Sequence, residues 1–119
     1  MHEMGIASQV VEIALASIPE SHRNARVEQV NLKVGKLSAV VADSLRFCYE
    51  IIVRDTALAG STLRIEEIPV TARCETCDHR WRVDEPVFRC AACRSGDVKI
   101  ETGQELEIVS IEISDEISD

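Results

Sequence analysis

Apolar side chains near the start of the chain recur at intervals of three and four residues, the spacing that gathers them on one face of a helix. They are Met4, Ala7, Val11, Leu15 and Ile18. Pro19 follows, and a proline disfavours helical backbone at the residue before it. The pattern therefore predicts a first helix from Met4 to Ile18.

A second stripe with helical spacing lies near the middle of the chain. It contains Leu45, Cys48 and Ile52, and Asp43 precedes it as a candidate N-cap. The stripe predicts a second amphipathic helix. Because Cys48 falls on the apolar face of that helix, we interpret it as a buried small hydrophobe.

Alternating polar and apolar positions predict three strands. The first runs from Val30 to Val34 and stops at Gly35. The second passes from Leu63 to Val70 directly into a pair of cysteines, and the third runs from Leu106 to Ile113 after a second pair. Strands that enter and leave one small module lie close together, so we expect them to pair antiparallel.

Composition narrows the class of protein. The 119 residues carry 3% aromatics, so a core must be built from Val, Ile, Leu and Ala. The net charge of -8 argues against a nucleic-acid binder, because affinity for phosphates comes mainly from Lys and Arg. No apolar run is long enough to span a membrane, and the N-terminus lacks the features of a signal peptide. We therefore expect a cytoplasmic protein with neither a nucleic-acid nor a membrane partner.

The strongest motif is Cys74-x-x-Cys77 followed, after twelve residues, by Cys90-x-x-Cys93. Each pair brings two thiolates to one ion, and two such turns complete the tetrahedral sulfur shell of a structural Zn²⁺ site. An iron–sulfur cluster and a redox dithiol are the alternatives. The redox alternative is weak because it calls for one Cys-x-x-Cys at a strand-to-helix junction. A closed shell leaves no position open for catalysis.

A ribbon of this size has little core of its own, so bound metal would supply its folding energy. We predict a zinc-binding module at residues 73–97 and an α/β domain at residues 1–72 plus 98–119. The expected fold class is α+β. It has two helices on a largely antiparallel three-stranded sheet, with an inserted zinc-ribbon module that holds its metal by four cysteines.

The N-terminal Met1-His2-Glu3 can chelate a metal when its amine is free. The amine of Met1, the deprotonated amide of His2 and the His2 imidazole would close adjacent rings on one ion, and planar nitrogen donors suit Ni²⁺ or Cu²⁺. The backbone amide of Glu3 or a second imidazole would fill the fourth place. His79 is open to three interpretations: a partner of the zinc ligands, that fourth nickel ligand, or a solvated loop residue.

Four features together resemble the HypA/HybF family of nickel metallochaperones for hydrogenase maturation. They are Met1-His2-Glu3 opening into a helix, Val34-Gly35-Lys36-Leu37-Ser38, Ser44-Leu45-Arg46-Phe47 and the paired Cys-x-x-Cys motifs. The resemblance covers essentially the whole chain. It implies His2 as the indispensable nickel ligand, with the Met1 amine and local amides completing the site and Glu3 in the same motif. It also implies zinc on the four cysteines and makes the α/β domain at residues 1–72 plus 98–119 the nickel-binding domain.

The resemblance further implies a protein that carries Ni²⁺ as cargo and is not an enzyme. Its partners would be the accessory GTPase of hydrogenase maturation, the large subunit of nickel–iron hydrogenase and, in some organisms, urease accessory proteins. The residues themselves show no nucleophile with a base at a recognisable spacing and no phosphate loop. The alternative function is a zinc-ribbon adaptor that mediates protein contacts without its own nickel.

Overall fold

The computed structural model describes residues 2–114 and divides into two compact units, each built from separate segments of the chain. The first comprises Met1–Lys33, Val40–Glu66 and Glu107–Asp119, and the second comprises Val34–Ala39 and Glu67–Leu106. In chain order the elements are α1 (Glu3–Ala16), β1 (Arg26–Gly35), α2 (Ala42–Ile52), β2 (Thr62–Ile68), β3 (Thr71–Cys74), β4 (Arg80–Arg82), β5 (Val98–Thr102) and β6 (Leu106–Ser114).

The strands form two three-stranded sheets, one with the order β2-β1-β6 and one with the order β4-β3-β5. The α+β class, the two helices and a three-stranded sheet are thus confirmed. The second sheet was not predicted. No helix among residues 2–114 is long and apolar enough to cross a bilayer.

The core of the first unit is largely aliphatic, as the composition predicted. Helix α1 buries Ala7, Val10, Val11 and Ala14, strand β1 contributes Val27, Val30 and Leu32, and α2 contributes Leu45 and Tyr49. The side chain of Tyr49 is fully buried, and its hydroxyl lies 2.6 Å from the Ser61 hydroxyl. Cys48 is half-buried rather than buried, because it lies beside the buried stripe of α2 instead of within it.

Helix boundaries differ slightly from the prediction. Helix α1 ends at Ala16, where the Ser17 hydroxyl donates a 2.7 Å hydrogen bond to the Ile13 carbonyl. Val41 is the N-cap of α2, and Asp43 lies inside the first turn, where its carboxylate pairs with Arg46 at 3.1 Å. Asp43 is therefore not the cap.

In the second unit, β3 is the central strand and pairs antiparallel with both β4 and β5. The sequence pattern predicted one strand through Leu63 to Val70 and on to the cysteines, but Ile68 ends β2 and Thr71 begins β3. Pro69 stands between them, and proline has no amide to donate to a ladder. At the other end of the unit, Gly103 (φ 114°) separates β5 from β6.

The second unit contains the predicted module at residues 73–97 and extends beyond it. It is wider because Thr71 and Ala72 of β3 pair with both flanking strands, and because Val34–Ala39 belongs to it. Within it, the amide of Gly35 donates to the Glu105 carbonyl at 2.7 Å, and the Leu37 amide donates to the Gly103 carbonyl at 2.8 Å. The assignment of a separate metal to each domain stays a prediction.

Candidate metal centres

The first cysteine pair forms a tight turn closed by two backbone hydrogen bonds. The Asp78 amide donates to the Cys74 carbonyl at 2.9 Å, and the Cys74 amide donates to the His79 carbonyl at 2.8 Å. Asp78, which follows Cys77, has φ 64°, in the left-handed region that reverses the chain. Asp tolerates this region better than most residues.

The second pair repeats this turn. The Arg94 amide donates to the Cys90 carbonyl at 2.8 Å, the Cys90 amide donates to the Ser95 carbonyl at 3.0 Å, and Arg94 has φ 64°. We call residues 74–79 the first knuckle and residues 90–95 the second knuckle. The two knuckles have the same backbone design, so each presents two sulfurs from one turn.

The knuckles bring all four sulfurs within 4.8 Å of one another. Cys74 and Cys93 have their sulfurs 3.5 Å apart, and Cys77 and Cys90 have theirs 3.6 Å apart. A disulfide would need about 2.05 Å, whereas four sulfurs at about 2.3 Å from one tetrahedral ion lie about 3.8 Å from each other. The geometry therefore fits a four-cysteine metal site and not a pair of disulfides.

The closeness of the four sulfurs also shifts the pKa values of the thiols when no metal is bound. Burial acts to raise the pKa of Cys74. Hydrogen bonds from the backbone amides of Cys77 and Thr76, together with those from the thiols of Cys93 and Cys77, outweigh it and bring the pKa to about 6. A hydrogen bond from the His79 backbone lowers the pKa of Cys77, but burial and the three neighbouring thiols raise it to about 12. Four thiolates together need a cation, since like charges at this distance disfavour ionisation.

Arg73, directly before the first knuckle, binds it from outside. Its guanidinium donates to Glu75 at 2.9 Å and to Asp78 at 3.0 Å, and lies 3.6 Å from the carboxylate of Glu101 on β5. The Arg73 side chain is only 23% exposed, so this network is more shielded than a surface ion pair. The cysteine spacing in the sequence does not identify which neighbouring side chain binds the turn.

His79 lies on the surface of the second unit. Its ring stacks on Trp81 with centroids 5.6 Å apart and an angle of 12° between the ring planes. The side chain is exposed, and among residues 2–114 the set of side chains able to share one metal ion contains the four cysteines without His79.

The predicted nickel residues lie at the start of α1. Met1 lies outside the described residues. His2 is exposed and forms the N-cap of the helix, with φ -89° and ψ 86°, and its carbonyl accepts a 3.2 Å hydrogen bond from the Ile6 amide. The Glu3 carboxylate accepts a 3.2 Å hydrogen bond from the Val41 amide. This bond lowers the pKa of Glu3, and burial opposes it. No pattern in the sequence had pointed to the contact with Val41.

Comparison with known proteins agrees with this architecture. A family model described as hydrogenase/urease nickel incorporation, metallochaperone, hypA matches residues 1–113. The hydrogenase maturation factor HypA of Desulfosudis oleivorans is 55% identical over 97% of this chain and 100% of its own length. The HypA of Desulfatibacillum aliphaticivorans is 50% identical over 97% of this chain and 88% of its own length.

Two solved structures share the fold. The solution structure of the Ni metallochaperone HypA from Helicobacter pylori has a TM-score of 0.65, with 22% identity over 95% of this chain and 97% of that one. A second, titled solution structure of HypA protein, has a TM-score of 0.73 with 22% identity over 98% of both chains. At this identity the structures support the fold alone. The family match and the close sequence relatives show the family and its role. This chain belongs to the HypA family of metallochaperones for nickel incorporation into hydrogenase and urease, and is a maturation factor rather than an enzyme.

Proposed function

We propose that this chain binds Ni²⁺ at its N-terminus and delivers it for the maturation of nickel–iron hydrogenase. The donors are the Met1 amine, the backbone amides of His2 and Glu3, and the His2 imidazole. The observation that carries the proposal is the position of His2, which is exposed and precedes the first helical residue. The first amides of a helix have no carbonyl partner within it. Both amides can therefore bind a metal without breaking a helical hydrogen bond.

Glu3 has two roles in the proposed nickel site. Its backbone amide is the fourth nitrogen donor, while its carboxylate remains on the Val41 amide. That second contact fixes the first turn of α1, from which the chelating segment extends. The carboxylate thus positions the nickel ligands and is not itself one of them.

The second metal is zinc, held by Cys74, Cys77, Cys90 and Cys93 in a structural site. The sulfur separations support a tetrahedral thiolate shell, which zinc prefers. Ligand chemistry keeps the two metals apart, with nitrogen donors for nickel in the first unit and thiolates for zinc in the second. A carrier must release its cargo, and an exposed site with few ligands suits that task better than a closed sulfur shell.

The family role supports a place for this protein among the cytoplasmic accessory factors. We propose that it passes nickel to the accessory GTPase of hydrogenase maturation and on to the hydrogenase large subunit. Urease accessory proteins are further proposed partners, since the family model covers urease as well as hydrogenase.

Nickel titration of the untagged chain tests the proposal. Calorimetry should show one nickel site in the wild type, and that site should be lost in His2→Ala and in a chain with two extra N-terminal residues. His22→Ala removes another histidine of the first unit and should leave nickel binding unchanged. Zinc content should be the same in all four proteins. Equal nickel binding by all four would overturn the N-terminal site and favour the zinc-ribbon adaptor.

A further inference from the structure

The four cluster sulfurs are not equivalent toward solvent. In each knuckle the first cysteine is buried, with Cys74 at 0% and Cys90 at 1% exposure, and the second cysteine, Cys77 or Cys93, is exposed. Because the two knuckles share one backbone design, the asymmetry appears twice. The cluster therefore has two cysteines shielded from solvent and two exposed to it.

A backbone hydrogen bond adds to the shielding of Cys90. The Cys93 amide donates to the Cys90 sulfur at 3.4 Å. A hydrogen bond to a thiolate withdraws electron density from sulfur and makes it a weaker nucleophile. Cys90 is thus a poorer site of first attack than its burial alone would make it.

We propose that Cys77 and Cys93 are oxidation sites, at which a hydroperoxide in solution opens the metal cluster. This inference rests on zinc occupying the four-cysteine site, as proposed above. The shielded cysteines then act as resolving thiols. Each exposed sulfur has a shielded one close to it in the opposite knuckle, with Cys77 3.6 Å from Cys90 and Cys93 3.5 Å from Cys74.

The chemistry balances with the hydroperoxide as the only oxidant. The Cys77 thiolate attacks one peroxide oxygen, so that an S–O bond forms, the O–O bond breaks and the leaving alkoxide or hydroxide takes a proton from water. The Cys90 thiolate then attacks the sulfur of this sulfenic acid, forming the S–S bond and expelling hydroxide. Two thiolates, one hydroperoxide and two protons give one disulfide, one alcohol or water, and one further water. The loss of two thiolate ligands releases the metal.

Oxidation of the zinc-loaded protein by hydrogen peroxide, below one equivalent, tests the proposal without any variant. Trapping with dimedone, followed by peptide mass spectrometry, should place the first sulfenic acids on Cys77 and Cys93. Without the trap, the first disulfides should join Cys77 to Cys90 and Cys74 to Cys93, with zinc appearing in solution in step. First labels on Cys74 and Cys90, or equal labels on all four, would overturn the proposal. A first disulfide between the two cysteines of one knuckle would also overturn the proposal.

A matched pair of variants tests the same asymmetry by rate. His also binds zinc, so Cys77→His with Cys93→His removes the exposed thiolates and keeps four ligands. Peroxide consumption should slow roughly tenfold or more in this variant, and should stay within about threefold of wild type in Cys74→His with Cys90→His, which keeps the attacking thiolates and lacks only the resolving ones. Equal slowing in both would contradict the proposal. If either variant folds poorly, the mapping on the wild type decides alone.

Two measurements separate this inference from the proposed function. Zinc content before any peroxide is added tests the occupancy of the four-cysteine site. A chain that does not bind zinc there would contradict the proposed function before any oxidation is tested. With zinc bound, only the site of oxidation is in question. Cys48→Ser removes the remaining thiol, which lies on α2, and should leave the oxidation pattern unchanged.

Discussion

The Glu3 carboxylate accepts a 3.2 Å hydrogen bond from the Val41 amide, and this bond joins the first turn of α1 to the residue that caps α2. The ionised carboxylate is the stronger acceptor, which is why the bond lowers the pKa of Glu3. The contact connects two segments that are far apart in sequence, and one of them is the proposed nickel motif.

Replacing Glu3 by Gln should destabilise the first unit in a pH-dependent way. A carboxyl group whose pKa is depressed in the folded state stabilises fully above its unfolded pKa, about 4.3 for Glu, and loses that contribution as pH falls through the folded pKa. The unfolding temperature of Glu3→Gln should therefore lie below that of wild type near pH 7, and the difference should shrink below about pH 4.

Glu12→Gln is the matched control, since Glu12 is an exposed residue of the same helix. It should leave the unfolding temperature close to that of wild type at both pH values. A difference for Glu3→Gln that is as large at about pH 3 as at about pH 7 would show that the carboxylate charge is not what Val41 binds.

Local pattern was enough to predict both helices, the first strand and the four-cysteine site, because each depends on spacing within a short segment. It failed at Pro69, where the apolar pattern continues but the chain changes sheets, and it missed β5, which precedes the predicted start of the third strand at Leu106. Strand β4 was missed because Arg80-Trp81-Arg82 is too short to show a period. The Glu3–Val41 contact depends on how distant segments pack, which no local pattern encodes.

Gly35→Ala should destabilise the second unit. A Cβ at Gly35 would clash with the carbonyl carbon and oxygen of Gly103, both of which are backbone atoms, so the backbone must shift. We expect a loss of about 1–3 kcal/mol in the free energy of unfolding, measured by urea denaturation. Gly5→Ala is the control, because nothing lies within 4 Å of a Cβ there. In helix α1 it should be neutral or stabilise by up to about 1 kcal/mol. Equal losses in the two variants would contradict the proposed close approach.

Tyr49→Phe should weaken the core of the first unit through one lost hydrogen bond. The Ser61 hydroxyl donates to the Leu58 carbonyl at 2.5 Å, so the Tyr49 hydroxyl is the donor in the 2.6 Å bond to Ser61. Its removal should cost about 1 kcal/mol of unfolding free energy. A double-mutant cycle with Ser61→Ala should give a coupling energy of similar size. Additive effects of the two substitutions would mean that the hydroxyls do not interact.

Removing the metal from the four-cysteine site should unfold the second unit selectively. The buried side chains of that unit include Cys74 and Cys90 beside Val70 and Ala72, so its core is small and the metal ligands are part of it. Hydrogen exchange after treatment with a chelator should show faster exchange of β3 and β5 amides, while α1 and the centre of β1 keep their protection. Equal loss of protection in α1 would contradict a metal-dependent second unit.

Nickel affinity should fall as the solution is acidified from about pH 7 to about pH 6. Binding needs a free amine, deprotonated amides and a neutral imidazole, so each donor of the proposed site competes with protons. Zinc in the thiolate shell should remain bound over this narrow interval. Calorimetric titrations at several pH values, with zinc measured in the same samples, would therefore show a decline in nickel affinity alone. An unchanged nickel affinity would exclude proton competition as a release mechanism and would argue for release driven by contact with a partner protein.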